Sequence, residues 1–330
     1  MRQVWITRRG GPEVLQLREA PDPQPGPGEV RIRVRAAGVN FADVMARRGL
    51  YPDAPPIPFV PGYEVAGDVD AGDPSRIGQR VLAFTRFGGY ADTVVAKAPL
   101  AVELPASLSY AQGAAIPVVW LTAWHILVEL CNVRAGQRVL VHAAAGGVGT
   151  AALQICRRIG AEVIGTASAS KHARLREMGL AHAIDYRTQD FEVEVKRITG
   201  DRGVHVVMDA VGGGSIKKGW RSLAPTGKLV VFGASSVMGG PAAALAAVLR
   251  MTPFWPLQVM QENKALIGVN MGRLWGEEAL LASHLRAILS GMSDGSFGAV
   301  IDKEFPLAEA GRAHERLEHR ENFGKVVLVP

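Results

Sequence analysis

The stretch VLVHAAAGGVG at residues 139–149 decides the fold of this chain of 330 residues. Its first half, VLVHA, is a short apolar run typical of a buried strand, and its second half is a glycine-rich turn. An amphipathic helix is predicted over 149–159, and a second β-branched run, EVIGTA, follows at 162–167. Strand, helix and strand in this order indicate a parallel α/β unit.

The turn between this strand and this helix has the features of a dinucleotide-binding site. Gly146 lets the backbone approach a pyrophosphate, and Gly149 permits close packing of the helix on the strand. The helix N-terminus adds free N–H groups and the positive end of the helix dipole. Ala144 stands where the first glycine of GxGxxG falls, so a glycine turn without a ligand is the alternative. The predicted backbone cradle comprises Ala145, Gly146, Gly147, Val148 and Gly149.

The residues after the second strand indicate whether the cofactor is NAD(H) or NADP(H). NAD-specific domains place an acid about 20 residues beyond the turn, where it holds the ribose 2′-hydroxyl. Here residues 165–172 read GTASASKH, and no acid lies between Glu162 and Glu177. Ser168 and Lys171, with Arg174 as a further candidate, are suited to a 2′-phosphate, through charge-assisted hydrogen bonds of about 1.5 to 3 kcal/mol each. The sequence therefore predicts NADPH; the alternative is that Lys171 is only a solvated residue opening a helix.

The alternation of strands and helices continues over the next hundred residues. Helices are predicted near 171–177 and 191–199, and the strands VVMDAV, KLVVFGA and ALIGVNM are nearly continuous apolar runs, as in a parallel sheet covered on both faces. The first hundred residues instead carry short strands separated by Pro and Gly, and the closing KVVLV resembles them. The sequence therefore predicts a nucleotide-binding domain over 122–272, set inside a β-rich catalytic domain formed by 1–121 and 273–330.

Composition and cysteine spacing exclude several classes of protein. With 48% hydrophobic and 21% charged residues, the chain is neither disordered nor a coiled coil. The net charge is +6, but the basic residues are scattered, so no nucleic-acid partner is expected. Cys131 and Cys156 lack CxxC spacing, which predicts two buried thiols and neither a disulfide framework nor a thiolate zinc site.

No membrane-spanning segment is predicted from the sequence. Charges are spread through the N-terminus, which has no apolar run of the length a signal peptide needs. The stretches 104–128 and 229–249 lack charged residues, but Pro and Gly interrupt both of them. We therefore expect a cytoplasmic protein.

Short motifs along essentially the whole chain carry a family resemblance. They are GVNFAD (38–43), GLYP (49–52), PGYEVAG (61–67), GGYA (88–91), LTA (121–123), AAAGGVG (143–149) and GKVVL (324–328). Together they resemble the zinc-free quinone oxidoreductases of the medium-chain dehydrogenase/reductase superfamily. Within that group, the chain resembles most the vesicle amine transport protein branch, also called the synaptic vesicle membrane protein homologues. That likeness is carried by NFADVMARRGLY (40–51), GTASASKH (165–172), IDYRTQD (184–190) and VMDAVGG (207–213).

The resemblance implies an α/β fold with two domains, NADPH as cofactor, and a homodimer. One domain would be a GroES-like, β-rich catalytic domain and the other a Rossmann domain with a doubly wound parallel sheet. It also implies that Lys171 and Tyr186 flank the 2′-phosphate, with Ser168 nearby. The remaining residues placed at the cofactor by resemblance are Thr122, Phe232, Gly233, Val269, Asn270, Asn322 and Lys325.

Departures from the zinc alcohol dehydrogenases of the superfamily indicate chemistry without a metal. Those enzymes carry a Cys near the position of Asn40 and a His in a GHE triplet, where this chain has Tyr63. The eight histidines show no paired spacing, so no catalytic zinc with the usual ligands is expected. Related quinone reductases often have a second tyrosine where this chain has Met45.

The predicted catalytic residues are therefore Asn40 and Tyr51. Asn40 is interpreted as a donor to the oxygen of the hydride acceptor, and Tyr51 as a donor or water-positioning group. A structural role is the alternative for both, Asn40 ordering the turn before a helix and Tyr51 lying at the surface. Glu64 and Asp43 are interpreted as structural carboxylates, Asp43 because an acid in the first turn of a helix is favoured by the helix dipole.

Without a metal Lewis acid, the acceptor must already be electrophilic, as a quinone or an α,β-unsaturated carbonyl is. The leading hypothesis is a zinc-independent, NADPH-dependent oxidoreductase that transfers a hydride to such a small apolar acceptor. The alternative is an NADPH-binding protein with little turnover that acts through partner or membrane contacts. Reduction of enoyl thioesters is a third hypothesis, but no basic groove for a carrier phosphate is evident.

The segment 235–261 is rich in Ala, Met, Trp and Phe. We predict that it lines an apolar acceptor pocket or covers a dimer edge. One alternative is that the segment is a plain buried helix and loop. A further alternative, drawn from the family resemblance, is that it forms a lobe that contacts a membrane or a partner.

Overall fold

The chain forms two compact units in a computed structural model that describes residues 1–239, 246 and 254–330. The first unit comprises Met1–Leu121 and Met271–Pro330, and the second comprises Thr122–Asn270. Within the described residues, no helix is both long and apolar enough to cross a membrane.

Strands of both units are numbered along the chain. They are β1 (Arg2–Ile6), β2 (Leu15–Glu19), β3 (Glu29–Val39), β4 (Glu64–Ala71), β5 (Arg80–Phe84), β6 (Thr93–Lys97), β7 (Ala101–Glu103), β8 (Arg138–Val141), β9 (Glu162–Ala167), β10 (His182–Asp185), β11 (Val204–Asp209), β12 (Leu223–Val231), β13 (Ala265–Gly268), β14 (Ile301–Pro306) and β15 (Lys325–Val329).

Helices are numbered in the same way over the described residues. They are α1 (Phe41–Arg47), α2 (Tyr110–Ala114), α3 (Pro117–Trp124), α4 (Gly147–Ile159), α5 (His172–Glu177), α6 (Phe191–Thr199), α7 (Gly214–Arg221), α8 (Pro256–Gln261), α9 (Glu278–Ser293) and α10 (Ala310–Glu318). A π-helical turn over His125–Leu130 follows α3 directly.

The first unit is built around a seven-stranded sheet in the order β14-β15-β3-β4-β5-β7, with β6 also paired to β3. Its longest strand, β3, alternates buried Val30, Ile32 and Val34 with arginines on the other face, as expected for an antiparallel sheet with one solvated side. The closing strand β15 pairs antiparallel with β3, so the chain end completes a sheet begun by the first hundred residues.

The second unit contains a six-stranded parallel sheet in the order β10-β9-β8-β11-β12-β13. Helices connect its successive strands, α4 between β8 and β9 being the first. This is the doubly wound order of a Rossmann domain, and the predicted fold class is confirmed. The strand order reverses between β8 and β11, and in such sheets ligands bind outside the carboxyl ends of the strands at that point.

Both cysteines are buried and free in the second unit, as predicted. Burial raises the pKa of the Cys131 thiol to about 11 and that of Cys156 to about 12. Neither thiol is therefore ionised at neutral pH.

Candidate active site

The glycine turn lies at the carboxyl end of β8, at the point where the strand order reverses. After Val141 the backbone turns through Ala143, whose φ of 54° lies in the left-handed region, and the N–H of Gly146 donates to the Ala143 carbonyl at 2.9 Å. Helix α4 then begins at Gly147 with Gly146 as its N-cap, and no side chain caps its first turn. The first N–H groups of α4 are therefore placed to bind an anion.

Gly149 is required by close contact between the start of α4 and the end of the strand. A Cβ at this position would lie 2.4 Å from the Ala144 carbonyl oxygen and 2.6 Å from that of Ala143. A Cβ on Gly146 would meet only the Ala143 oxygen, at 3.3 Å. The two glycines therefore serve different purposes, and only Gly149 is demanded by the protein's own packing.

Thr166, on the neighbouring strand β9, holds the start of this turn from two sides. Its Oγ1 accepts a hydrogen bond from the N–H of Ala143 at 3.3 Å and shares one with His142 Nδ1 at 3.1 Å. Its carbonyl accepts from the N–H of Ala144 at 3.0 Å. Sequence reasoning missed this residue, because Thr166 within EVIGTA has no signal that separates it from any other strand residue.

The three residues predicted at the 2′-phosphate follow two adjacent parallel strands. Ala167 of β9 pairs with Asp185 of β10, so the next residues, Ser168 and Tyr186, leave the sheet side by side. Ser168 is buried and its Oγ lies 3.4 Å from Ser170 Oγ, whereas Tyr186 is exposed. Lys171 lies directly before α5 and is partly buried. The parallel register therefore brings together residues that the sequence separates by 18 positions.

The other cofactor candidates of the second unit also lie at carboxyl ends of strands. Phe232 and Gly233 follow β12, and Asn270 lies two residues beyond β13. Thr122 is buried on α3. Asn322 and Lys325 belong to the first unit.

Asn40, Glu64 and Lys325 form a buried polar cluster in the first unit. Glu64 is fully buried; its Oε1 accepts from Asn40 Nδ2 at 2.7 Å and also pairs with the Lys325 ammonium, and its Oε2 accepts from the N–H of Val118 at 2.6 Å. Lys325 Nζ donates to Asn40 Oδ1 at 2.5 Å. Both ends of the Asn40 amide are engaged within the protein.

This geometry favours the structural alternative for Asn40. Its backbone N–H also donates to Asp43 Oδ2 at 2.8 Å, so Asn40 begins α1 with a capping box. Lys325 is likewise held inside the first unit by Glu64 and Asn40. The predicted contacts of Asn40 with the acceptor and of Lys325 with the cofactor therefore compete with strong buried partners.

A second buried network lies around Asp43. Its Oδ1 accepts from the N–H of Gly62 at 3.0 Å, and its Oδ2 accepts from the Tyr90 hydroxyl at 3.2 Å. That hydroxyl also shares a hydrogen bond with His314 Nε2 at 3.0 Å. Burial raises the pKa of Asp43 to about 7, and burial together with the nearby Arg47 charge lowers the pKa of His314 to about 3. The predicted structural role of Asp43 agrees with these contacts.

Four aromatic side chains of the first unit form a contiguous aromatic wall: Tyr51, Tyr63, Phe87 and Phe59. The Tyr51 ring meets that of Tyr63 edge-on, with centroids 6.0 Å apart, and Tyr63 packs against Phe87 at 4.9 Å. Phe87 in turn contacts Phe59 at 5.6 Å. Burial is the main cause that raises the pKa of both tyrosines, so both hydroxyls stay protonated near neutral pH. Tyr51 and Phe87 are only partly buried, which leaves part of this wall accessible.

Within the described residues, no group of three or more His, Cys, Asp and Glu side chains is arranged to hold a metal ion. The segment 235–261 lies partly outside the described residues, so its predicted role as a pocket wall stays a prediction. In its described part, Phe254 packs on Trp220 at 4.8 Å and Trp255 is 68% exposed.

Comparisons with known proteins agree with this fold. The model of the alcohol dehydrogenase GroES-like domain matches residues 26–106, and that of a zinc-binding dehydrogenase domain matches residues 178–328. The mouse synaptic vesicle membrane protein VAT-1 homolog is 39% identical over 344 residues, covering 100% of this chain and 84% of the mouse protein. Human quinone oxidoreductase is 32% identical over 337 residues, covering 100% of this chain and 98% of the human protein.

Among solved structures, the quinone oxidoreductase of Escherichia coli in complex with NADPH superimposes with a TM-score of 0.89 at 30% identity, covering 100% of both chains. A GroES-like β domain together with a Rossmann domain is the organisation of the medium-chain dehydrogenase/reductase superfamily, to which this chain belongs. Within that superfamily, this chain belongs to the quinone oxidoreductase-like proteins, the group that also contains the VAT-1 homologues.

Proposed function

We propose that this protein is an NADPH-dependent oxidoreductase that transfers a hydride to a quinone or an α,β-unsaturated carbonyl without a metal ion. The observation that carries the proposal is the uncapped start of α4 at the strand reversal, with Ser168 and Lys171 near the end of the neighbouring strand. The NADPH complex of the E. coli relative supports it. The coarser activity, that of an oxidoreductase of the quinone oxidoreductase type, follows from the family.

In this proposal the second unit is the cofactor-binding domain. The N–H groups of residues 145–149 bind the pyrophosphate, and Ser168, Lys171 and Tyr186 bind the 2′-phosphate. Bound NADPH supplies the hydride. Thr122, Phe232, Gly233 and Asn270 are assigned to the nicotinamide half, and Asn322 stays a predicted cofactor-binding residue.

The first unit is proposed to hold the acceptor. Tyr51 is the proposed donor to the acceptor oxygen, because its hydroxyl is protonated and its ring is partly accessible. Asn40 and Lys325, assigned from sequence to the acceptor and the cofactor, would act there only by way of the cluster they form with Glu64. Holding acceptor and nicotinamide face to face can supply about 7 to 11 kcal/mol of the barrier reduction.

We propose that the protein has no catalytic metal because of the side chains that stand at the usual positions of the zinc ligands in the first unit. Tyr63 stands where zinc alcohol dehydrogenases carry a histidine, and its protonated phenol is a poor zinc ligand. The homodimer and the cytoplasmic location stay predictions.

The test is the rate of NADPH oxidation by the purified, metal-stripped protein with a panel of quinones and enones, with NADH measured alongside. We expect saturable turnover that favours NADPH and is unchanged by chelators. Tight NADPH binding with no acceptor reduced would instead support the alternative, an NADPH-binding protein that acts through partners or membranes. Recovery of activity only on adding zinc would contradict the metal-free proposal.

A further inference from the structure

Tyr63 is a buried tyrosine whose hydroxyl makes no normal hydrogen bond with the described residues. Only 5% of its surface is exposed, and within the described residues its hydroxyl has no hydrogen-bond partner at normal distance. A side-chain interaction with the Tyr51 hydroxyl is one cause of the raised pKa of Tyr63, but its geometry falls outside that of a normal hydrogen bond. Native proteins pair the large majority of buried side-chain polar atoms, and an exception calls for a functional or structural reason.

The backbone around Tyr63 is held rigidly from both sides. The Tyr63 carbonyl accepts from the N–H of Thr85 at 2.6 Å. The preceding Gly62 donates its N–H to Asp43 and accepts the Thr85 hydroxyl at 3.1 Å. Gly62 has a φ of 105°, and a Cβ there would lie 2.7 Å from the Tyr90 ring. The phenol is therefore positioned in advance, as a group that stabilises developing charge should be.

The surroundings of the hydroxyl suit a flat, apolar ligand that carries an oxygen. The rings of Tyr51 and Phe87 flank Tyr63, and both are only partly buried. Aromatic faces at this spacing favour stacked or edge-on contact with another ring. Burial keeps the pKa of Tyr63 above its ordinary value, so the group is a hydrogen-bond donor at neutral pH.

We propose that Tyr63 is a catalytic residue whose hydroxyl donates a second hydrogen bond, beside that of Tyr51, to the carbonyl oxygen of the hydride acceptor. This assignment rests on the proposed function. In reduction of an enone, the nicotinamide C4–H bond breaks and a C–H bond forms at the β carbon. The π electrons shift, and the oxygen gains the negative charge of an enolate, which the Tyr63 hydroxyl stabilises. Water then supplies the proton that gives the ketone, NADP⁺ is released, and Tyr63 keeps its own proton.

The variant Tyr63→Phe separates this role from a structural one. Loss of one donor to a developing oxyanion lowers kcat by about 100-fold, with a smaller change in KM. Because the hydroxyl is buried without a partner, its removal should leave Tm unchanged or raise it. The matched control is Tyr110→Phe, since the Tyr110 hydroxyl donates to Asp68 at 2.5 Å outside the aromatic wall. That control should keep the wild-type kcat.

Infrared spectra of bound 1,4-naphthoquinone, recorded without NADPH, test the contact independently of turnover. The hydrogen bond should lower the carbonyl stretching frequency in the wild type and not in Tyr63→Phe. A frequency shift that depends on Tyr63 in a protein without turnover would support the contact and reject the proposed function. An unchanged kcat in Tyr63→Phe, or a fall in both kcat and Tm, would overturn the catalytic role while leaving the proposed function intact. No bound quinone in the wild type would overturn both.

Discussion

Single residues set the expected preference for NADPH over NADH. Replacement of Lys171 by Ala should weaken NADPH binding by about 10- to 100-fold, because one charge-assisted hydrogen bond of about 1.5 to 3 kcal/mol is lost. NADH affinity should change little, since NADH lacks the 2′-phosphate. Fluorescence titration with both cofactors measures this, and the exposed Lys217→Ala on α7 is the control. An equal loss for both cofactors would contradict the assignment.

Asp43 and His314 are both buried and both hydrogen-bonded to the Tyr90 hydroxyl. As the pH falls, they have opposite effects on the free energy of unfolding. The pKa of His314 is lowered to about 3, so acidification below about pH 6.5 protonates the unfolded chain first and stability is lost. The pKa of Asp43 is raised to about 7, so the folded state binds the proton first and stability is gained as pH falls from 7 toward 4.

Replacing His314 by Gln should remove only the first effect. Relative to the wild type, the free energy of unfolding of His314→Gln should rise by about 2 kcal/mol between pH 7.5 and pH 5, since 1.5 pH units below the ordinary value correspond to that amount. Urea unfolding at both pH values measures the change, with His319→Gln, at the exposed end of the same helix, as the control. If the free energies of unfolding of His314→Gln and the wild type differ by the same amount at both pH values, His314 is not a buried neutral histidine.

At the scale of elements, the two glycines where α4 meets the end of β8 should affect different properties, Gly149 the stability of the protein and Gly146 the binding of the cofactor. Gly149→Ala should destabilise the protein by about 1 to 3 kcal/mol, because its methyl group would press on two backbone oxygens. Gly146→Ala should keep most of the stability, since its methyl group would meet only the Ala143 oxygen at 3.3 Å, but should weaken NADPH binding if residue 146 approaches the pyrophosphate as proposed. Thermal unfolding and NADPH titration of both variants test this, and full stability of Gly149→Ala would refute the packing argument.

At the scale of the whole molecule, β13 is the last strand at one edge of the parallel sheet in the part of the chain that the structure describes. Leu266 on this strand and Leu257 and Met260 on α8 are exposed, and an open apolar edge is a natural place for a second copy to pair. If the predicted homodimer uses this edge, Leu266→Lys should give a monomer by light scattering. Val193→Lys, at an exposed apolar position on α6, should leave the mass unchanged. A dimeric Leu266→Lys variant would exclude this edge.

Several elements could be predicted to the residue because local signals agree. Strand β9 and helix α6 have the predicted bounds; Asp190 caps α6 and Gly200 ends it in a left-handed conformation. Helix α4 begins two residues earlier than predicted, inside the glycine turn. Helix α3 was not predicted, because PVVWLTAW is apolar on every face and has no periodicity to separate helix from strand.

The sequence by itself determined the glycine turn, the lack of an acid after β9, the parallel α/β alternation and the family. All of these depend on residues near one another in the chain or on motifs matched as written. Only the tertiary structure decided that Lys325 pairs with Asn40, 285 positions away, and that Tyr63 keeps a buried hydroxyl without a partner. Burial and hydrogen-bond partners come from residues distant in sequence, and these determine which polar groups are satisfied and which remain available for chemistry.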